Sequence, residues 1–186
     1  AHVYGQPLQG YINENTLPHP LHPYAITHRV AEDFVLDASV KDKIQGLVFR
    51  LSNAVGPPVF ANTNCWMLFL NDICKQSIQN DRIKVHSNGN IERDFIAIET
   101  VTAVVEQSLA DTSILWGFPI INLSSGESLS LNNVAVLVRD KVRELLDKEI
   151  IIDMKIRPLP RDAPKLQLAN DLLQECVVEE FTPFQD

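Results

Sequence analysis

The chain has 186 residues with a net charge of −8, and 45% of them are hydrophobic. This length suits one domain with a substantial core, and the longest apolar runs are only a few residues, so we expect no membrane-spanning helix. The 16 basic residues are scattered, which argues against binding to a nucleic-acid backbone. The three cysteines, Cys65, Cys74 and Cys176, have no metal-type spacing. We therefore expect reduced thiols and a cytoplasmic protein.

The first predicted helix covers residues 24–40. The loop before it, residues 5–23, ends at Pro23, which can open a helix without losing a needed backbone donor. Within the helix, apolar residues recur at spacings of four, four and one, which predicts one buried stripe. These residues are Ile26, Val30, Phe34 and Val35.

Strands and helices alternate along the rest of the chain. Short apolar runs bounded by turn residues predict strands at 46–51, 83–85, 93–98, 120–123 and 150–156. Apolar periodicity predicts helices at 65–78, 99–109, 130–146 and 163–176, with Ser130 as the N-cap of the third. We expect Leu109 on a buried helix face and Met67 to Leu70 in the core. The alternation favours an α/β fold with a largely parallel sheet.

Three stretches carry residues suited to chemistry. The first runs from Val3-Tyr4-Gly5 to the segment from Tyr24 to His28, with Glu32 after it. The second is the strand end from Arg50 to Pro57, which contains Asn53. The third pairs a turn that includes Arg93-Asp94-Phe95 with Ser125-Gly126-Glu127 downstream.

In this order and at these separations, the three stretches resemble the extended short-chain dehydrogenase/reductases, the NAD-dependent sugar-nucleotide epimerase/dehydratase family. The resemblance implies the C-terminal portion of a Rossmann-type NAD(P)-binding fold with the smaller substrate-binding α/β part. Residues 1–56 would be the last part of the Rossmann-type domain. Residues 57–186 would be mainly the substrate-binding part, with elements returning to the Rossmann sheet. The implied cofactor is NAD or NADP, although the glycine-rich turn that binds its pyrophosphate is absent from this sequence.

Tyr24 and His28 match the family's catalytic positions, and the resemblance implies that both also contact the cofactor. In the family, the tyrosine exchanges a proton with a sugar hydroxyl while the cofactor exchanges a hydride. A phenol has a pKa of about 10 and is a poor base at neutral pH, so it needs a nearby cation. The family places a lysine four residues after the tyrosine, on the same helix face. Here that position is His28.

Asn53 and Arg93 match substrate-binding positions of the family. The resemblance implies that Asn53 binds the diphosphate region of a nucleotide sugar and also contacts the cofactor. It implies that Arg93 reaches the nucleotide phosphate or ribose. The alternatives are an Asx-turn at Asn53 and a surface ion pair of Arg93 with Glu92 or Asp94.

Two functions therefore remain open. The chain is part of a nucleotide-sugar epimerase, dehydratase or reductase, or it is a catalytically inactive remnant that binds a nucleotide sugar or a protein partner. His28 in place of lysine favours the remnant. By resemblance we also expect a homodimer that packs the helix at residues 24–40 against its symmetry mate. We expect no metal site at His19, His22 and His28, because prolines interrupt their spacing and no carboxylate or cysteine completes a ligand set.

Overall fold

The structure is a computed structural model, and it describes residues 1–60, 62–111, 113, 117–160 and 163–176. Helices and short strands alternate along the chain, which gives an α/β fold. The helices are α1 (Pro23–Val40), α2 (Phe69–Asn80), α3 (Ile98–Ala110), α4 (Leu131–Leu146) and α5 (Asp171–Cys176), and a 3₁₀ turn covers His2–Tyr4. The strands are β1 (Tyr11–Ile12), β2 (Val48–Leu51), β3 (Asn53–Val55), β4 (Arg82–Asn88), β5 (Glu92–Ala97), β6 (Ile120–Leu123), β7 (Ser128–Ser130), β8 (Ile151–Lys155) and β9 (Gln167–Leu168).

The strand pairs are parallel except for one. β2 pairs with β6, β3 with β5, β4 with β8 and β1 with β9, while β7 runs antiparallel to β5. The β2–β6 ladder extends from Val48 opposite Ile120 to Leu51 opposite Leu123, and it joins residues that are far apart in the chain. Within the described part of the chain, β6 is the one strand paired with β2, so the other edge of β2 carries no strand.

Three hydrophobic clusters hold these elements together. The first lies between α2, α4 and strands β4, β5 and β8, around Ile73 and Ile83. The second joins β2, β6, α3 and α5, around Leu123 and Leu173. The third packs the 3₁₀ turn against β1 and β9. The turn that opens the chain is therefore fixed by a segment near its end.

Most predicted elements are present, with shifted ends. α1 begins at Pro23, β6 covers the predicted residues, and Ser130 Oγ accepts the N–H of Asn133 at 3.1 Å to cap α4. The predicted helix at residues 163–176 is wrong over its first half. Leu168 pairs as part of β9 with β1 and is buried in the third cluster, so α5 begins only at Asp171.

The predicted buried stripe of α1 is also wrong. Ile26, Val30 and Phe34 are 44%, 48% and 72% exposed, while Ala25 and Glu32 are the buried residues of this helix. The face of α1 that packs against the protein carries Glu32, which pairs with the buried guanidinium of Arg50. The apolar residues therefore lie elsewhere around the helix. Leu109 and Met67, expected in the core, are exposed as well.

Two isoleucines in helices give a matched test of this burial. Ile73→Ala removes a side chain with no exposed surface and should cost about 2–5 kcal/mol of unfolding free energy. Ile26→Ala removes an exposed side chain from a helix and should change stability by less than about 0.5 kcal/mol. Urea unfolding of dilute protein measures both. Equal losses for the two variants would contradict the placement of α1.

Candidate active site

A buried ion pair holds α1 against β2. Arg50 Nε and Nη2 donate to the two carboxylate oxygens of Glu32 at 3.1 and 3.0 Å, and the side chains are 2% and 8% exposed. The Arg50 guanidinium also lies 4.7 Å from the centre of the Tyr4 ring, and the Tyr4 hydroxyl donates to Asn122 Oδ1 at 2.6 Å. A two-pronged contact of this kind fixes orientation as well as distance. The pair therefore orients α1 relative to the 3₁₀ turn and to β2.

Tyr24 and His28 precede Glu32 by eight and four residues, so the three lie along the same side of α1, and the Tyr24 and His28 side chains are exposed to solvent. Their ring centroids are 4.1 Å apart with the ring planes tilted by 37°, and Tyr24 is 55% exposed. His28 Nδ1 lies 2.8 Å from the Tyr24 carbonyl oxygen. Because a carbonyl oxygen can only accept, Nδ1 carries the proton of this bond. In the neutral ring, Nε2 is then left as an acceptor.

His2 also contacts the Tyr24 ring. The two rings meet edge to face with centroids 5.7 Å apart. His2 Nδ1 lies 3.3 Å from the side-chain nitrogen Nε2 of Gln6. Partial burial, followed by positive charges that include Arg93, lowers the pKa of His2. His22 caps α1, since its Nδ1 accepts the N–H of Tyr24 at 3.3 Å. The predicted catalytic tyrosine thus lies among three histidines.

Asp94 joins the two parts of the third motif stretch. Its carboxylate accepts the backbone N–H and hydroxyl of Ser125 at 3.0 and 2.8 Å and the N–H of Gly126 at 3.0 Å. Burial raises the pKa of Asp94, and these hydrogen bonds oppose the shift. Gly126 has a φ of 82°, and an added Cβ would lie 2.7 Å from Asn170 Oδ1, so glycine is required in this turn. Asp94 therefore has a structural role.

Asn53 lies directly beside this turn. Its Nδ2 donates to the carbonyl oxygen of Asp94 at 2.7 Å, which links β3 to β5 and differs from the Asx-turn considered above. The amide keeps a second N–H and its oxygen for other partners. Asn53 is half-buried and is the first residue of β3.

Arg93 is half-buried and forms no ion pair with another described residue. The ion pairs that the sequence left open are not formed, because Asp94 is engaged by the turn and Glu92 Oε2 accepts the N–H of Leu166 at 2.8 Å. The guanidinium instead lies 5.8 Å from the centre of the Phe69 ring, and burial lowers its pKa.

The structure places Tyr24 against His28, and the Tyr24 ring also contacts His2, on which the charge of Arg93 acts. Asn53 is bonded to the residue that follows Arg93. Sequence reasoning missed His2, although its position immediately before the Val3-Tyr4-Gly5 motif was a usable signal. In the described part of the chain, no group of three or more His, Cys, Asp or Glu side chains could hold a metal ion.

Comparison with known proteins assigns the chain to a family. The profile of the NAD dependent epimerase/dehydratase family matches residues 1–113. The chain belongs to this family. GDP-6-deoxy-D-mannose reductase of Pseudomonas aeruginosa is 28% identical over 152 residues, which cover 78% of this chain and 44% of that protein. The chain thus spans less than half the length of this curated relative.

Solved structures of the family share the fold. RMD from Pseudomonas aeruginosa, complexed with NADPH, superimposes with a TM-score of 0.72 at 21% identity, over 99% of this chain and 59% of that one. UDP-glucuronic acid 4-epimerase from Bacillus cereus, in complex with UDP-glucuronic acid and NAD, gives a TM-score of 0.76 at 18% identity, over 100% and 55%. The expected Rossmann-type α/β fold is confirmed.

The described helices include none with the length and apolar character needed to span a membrane.

The buried Glu32–Arg50 ion pair predicts that removal of the Glu32 carboxylate destabilises the fold. Glu32→Ala leaves the Arg50 guanidinium buried without its carboxylate and should cost about 3–5 kcal/mol of unfolding free energy. Asp33→Ala is the matched control on the same helix, because the Asp33 side chain is 58% exposed and should cost less than about 1 kcal/mol. Chemical denaturation compares the two variants. A Glu32→Ala loss no larger than that of the control would rule out the pair as the anchor of α1.

Proposed function

We propose that this chain is part of an NAD(P)-dependent epimerase, dehydratase or reductase that acts on a nucleotide sugar, with Tyr24 as the acid/base. The observation that carries the proposal is the Tyr24–His28 pair, whose exposed rings lie 4.1 Å apart on a helix that a buried ion pair holds in place. Membership of the family supports the reaction class.

In the proposed reaction, the Tyr24 hydroxyl gives a proton to a sugar hydroxyl or takes one from it. His28 orients the tyrosine, since its Nδ1–H donates to the Tyr24 carbonyl and its ring lies against the phenol. A neutral imidazole stabilises a phenolate less than the permanent charge of a lysine. We therefore expect proton transfer at Tyr24 to be slower here than with lysine at this position.

The exposed side chains of α1 fit the nicotinamide end of NAD or NADP. His28 Nε2 in the neutral ring can accept a hydrogen bond from a ribose hydroxyl, and Tyr24 lies beside it. The bound cofactor supplies the hydride exchange at a sugar carbon. The sequence contains no glycine-rich turn for the pyrophosphate, so that contact must come from residues outside this sequence.

The proposed substrate contacts come from β3 and β5. Asn53 retains a free N–H and an oxygen, and Arg93 presents a guanidinium that no described carboxylate neutralises. These groups suit the phosphates of a nucleotide sugar, the class of molecule bound in the structure of UDP-glucuronic acid 4-epimerase from Bacillus cereus. We also propose that residues 1–56 are the last part of the Rossmann-type domain and that residues 57–186 are mainly the substrate-binding part. The proposed location of the protein is the cytoplasm.

Tyr24→Phe tests the proposed acid/base. The variant removes the reacting hydroxyl, and turnover of a panel of GDP-, UDP- and dTDP-hexoses with NAD or NADP should fall about 10²–10⁴-fold in the full-length protein. Tyr11→Phe is the matched control, because Tyr11 is equally exposed at 55% and its hydroxyl donates to the exposed carboxylate of Asp171. Its turnover should not change.

An alternative function is a remnant that binds a nucleotide sugar or a protein partner without turnover, and His28 is the observation that favours it. Binding of a nucleotide sugar with no detectable conversion by the wild-type protein would establish this alternative. Unchanged turnover in Tyr24→Phe would instead assign the chemistry to another group.

His28→Lys tests whether a permanent positive charge at this position makes Tyr24 a better acid/base. A lysine ammonium on the same helix face stabilises the tyrosinate. We expect turnover of the full-length protein to rise by about tenfold or more at neutral pH and its optimum to move to lower pH. His28→Gln is the control without a charge, and it should give neither effect. A rate and optimum that stay the same in His28→Lys would refute the tyrosine-centred mechanism.

We also propose a homodimer that packs α1 against its symmetry mate. Ile26, Val30 and Phe34 recur every four residues on an exposed face of this helix, which gives an apolar stripe suited to twofold helix packing.

Phe34→Glu tests the dimer, because it places a charge on the most exposed residue of that stripe. Light scattering at tens of micromolar, about the range in which such interfaces form, should show a dimer for the wild type and a monomer for the variant. Leu109→Glu is the control on α3, with an exposure of 78% against 72% for Phe34, and it should remain dimeric. A monomeric wild type would refute the interface.

A further inference from the structure

Two histidines bind the backbone of Tyr24 on either side of its side chain. His22 Nδ1 accepts the N–H of Tyr24 at 3.3 Å, and His28 Nδ1–H donates to the Tyr24 carbonyl oxygen at 2.8 Å. A backbone N–H can only donate, and a carbonyl oxygen can only accept. In the neutral rings, the proton therefore lies on Nε2 of His22 and on Nδ1 of His28.

Protonation of the rings affects these two hydrogen bonds differently. An imidazolium carries a proton on both nitrogens, so each nitrogen donates and neither accepts. The bond from His28 to the Tyr24 carbonyl is therefore kept in acid, whereas the bond from the Tyr24 N–H to His22 is lost. This difference follows from the two backbone partners alone.

His22 is the N-cap that holds the first turn of α1. Its backbone is extended, with φ −112° and ψ 143°, and its carbonyl accepts the N–H of Ile26 at 2.9 Å while its ring accepts the N–H of Tyr24. Pro23, between them, has no N–H to satisfy. Helix ends fray, and a side-chain cap satisfies their free donors. The position of the exposed Tyr24 ring therefore depends on a turn that His22 keeps closed.

The surroundings of the cap offer no anion to a protonated His22. The first turn of α1 contains no acidic residue, and none of the ion pairs among the described residues includes His22. The first carboxylates along the helix are those of Glu32 and Asp33, about 15 Å away at the usual rise of a helix, and both already pair with Arg29. A proton on His22 is therefore not compensated by a neighbouring charge.

Basic side chains surround the Tyr24 ring. Arg50, on the strand that packs against α1, is already paired with Glu32. The N-terminus of a helix carries a partial positive charge, which repels a cation at the N-cap. A protonated imidazole is therefore disfavoured at the cap position by the helix as well as by its neighbours. The side chains that interact electrostatically with His2, whose ring touches Tyr24, are His22, His28 and Arg93.

We propose that His22 is a positioning residue for Tyr24, and that protonation of its imidazole opens the first turn of α1 and displaces the phenol. The cap is complete while His22 is neutral, and it is lost as the pH falls and the ring takes up a proton. The proposal rests on the function proposed above, and it names the residue that holds the acid/base in place.

Nitrogen NMR of the imidazole rings tests the two contacts on the 186-residue chain without substrate. We expect the proton of neutral His22 on Nε2 and that of neutral His28 on Nδ1, and we expect the Tyr24 amide signal to shift as His22 titrates. A neutral His22 with its proton on Nδ1 would overturn the proposal, because that nitrogen could not accept the Tyr24 N–H.

Hydrogen exchange of the Tyr24 amide measures how often the turn opens. Relative to the intrinsic exchange rate, protection in the wild type should fall about two- to thirtyfold between about pH 7.5 and about pH 5, the effect of a lost N-cap across the range of imidazole titration. His22→Asn keeps a good cap that cannot titrate, so its protection should stay the same. His22→Ala should be poorly protected at both pH values. His86→Asn changes an exposed histidine on β4 and should behave as the wild type.

Turnover of the full-length protein connects the cap to the reaction. Over the same pH range, kcat of the wild type should fall by a larger factor than kcat of His22→Asn, with an excess of about twofold or more. Equal pH dependence of protection or of kcat in the two proteins would overturn the proposal. Unchanged turnover in Tyr24→Phe would instead refute the function proposed above. The NMR and exchange measurements need no turnover, so the two failures can be told apart.

Discussion

The two hydrogen bonds between Arg50 and Glu32 connect the segments on which the candidate site is built. Glu32 belongs to α1, which carries Tyr24 and His28, and Arg50 belongs to β2, which leads directly to Asn53. Tyr4 packs on the same guanidinium and follows His2 by two residues. A buried pair of this kind contributes little net stability compared with a well-packed apolar pair, but removal of one partner is costly. We infer that its main value here is orientation, because it fixes one face of α1 and so determines which face is exposed.

Polar side chains in this region divide into those that build the structure and those that remain available. Asp94 is fully engaged by the turn at Ser125 and Gly126, which explains why two distant parts of the third motif stretch contact each other. Arg93, one residue earlier, has no such partner among the described residues. Neighbouring residues in a strand point to opposite faces. One of the two therefore builds the turn while the other lies over the Phe69 ring.

Histidine at position 28, where the family has lysine, changes both the hydrogen-bonding groups and the charge of this helix face. The Nδ1–H bond to the Tyr24 carbonyl fixes which nitrogen carries the proton, so the neutral ring presents an acceptor to a ligand. A lysine presents only donors and a permanent charge. The permanent positive charge that a lysine would bring to this helix face is therefore absent at position 28.

The sequence by itself determined the elements and the motif positions. Pro23 and Ser130 set helix starts through local backbone chemistry, and the run Ile120 to Leu123 is apolar enough to be a strand in any compact fold. The ordered motifs were sufficient to predict the family and the Rossmann-type fold. These signals are local or depend only on order along the chain, so they need no knowledge of packing.

Only the tertiary structure decided which faces are buried and which polar groups are engaged. The apolar stripe of α1 is exposed because Glu32 pairs with Arg50, a contact between residues 18 apart that periodicity cannot reveal. Leu168 forms a strand because it pairs with Ile12 across the chain. His2 joins Tyr24 for the same reason, since ring contacts and charges act through space. Burial and charge depend on such long-range neighbours, whereas a motif records only sequence order.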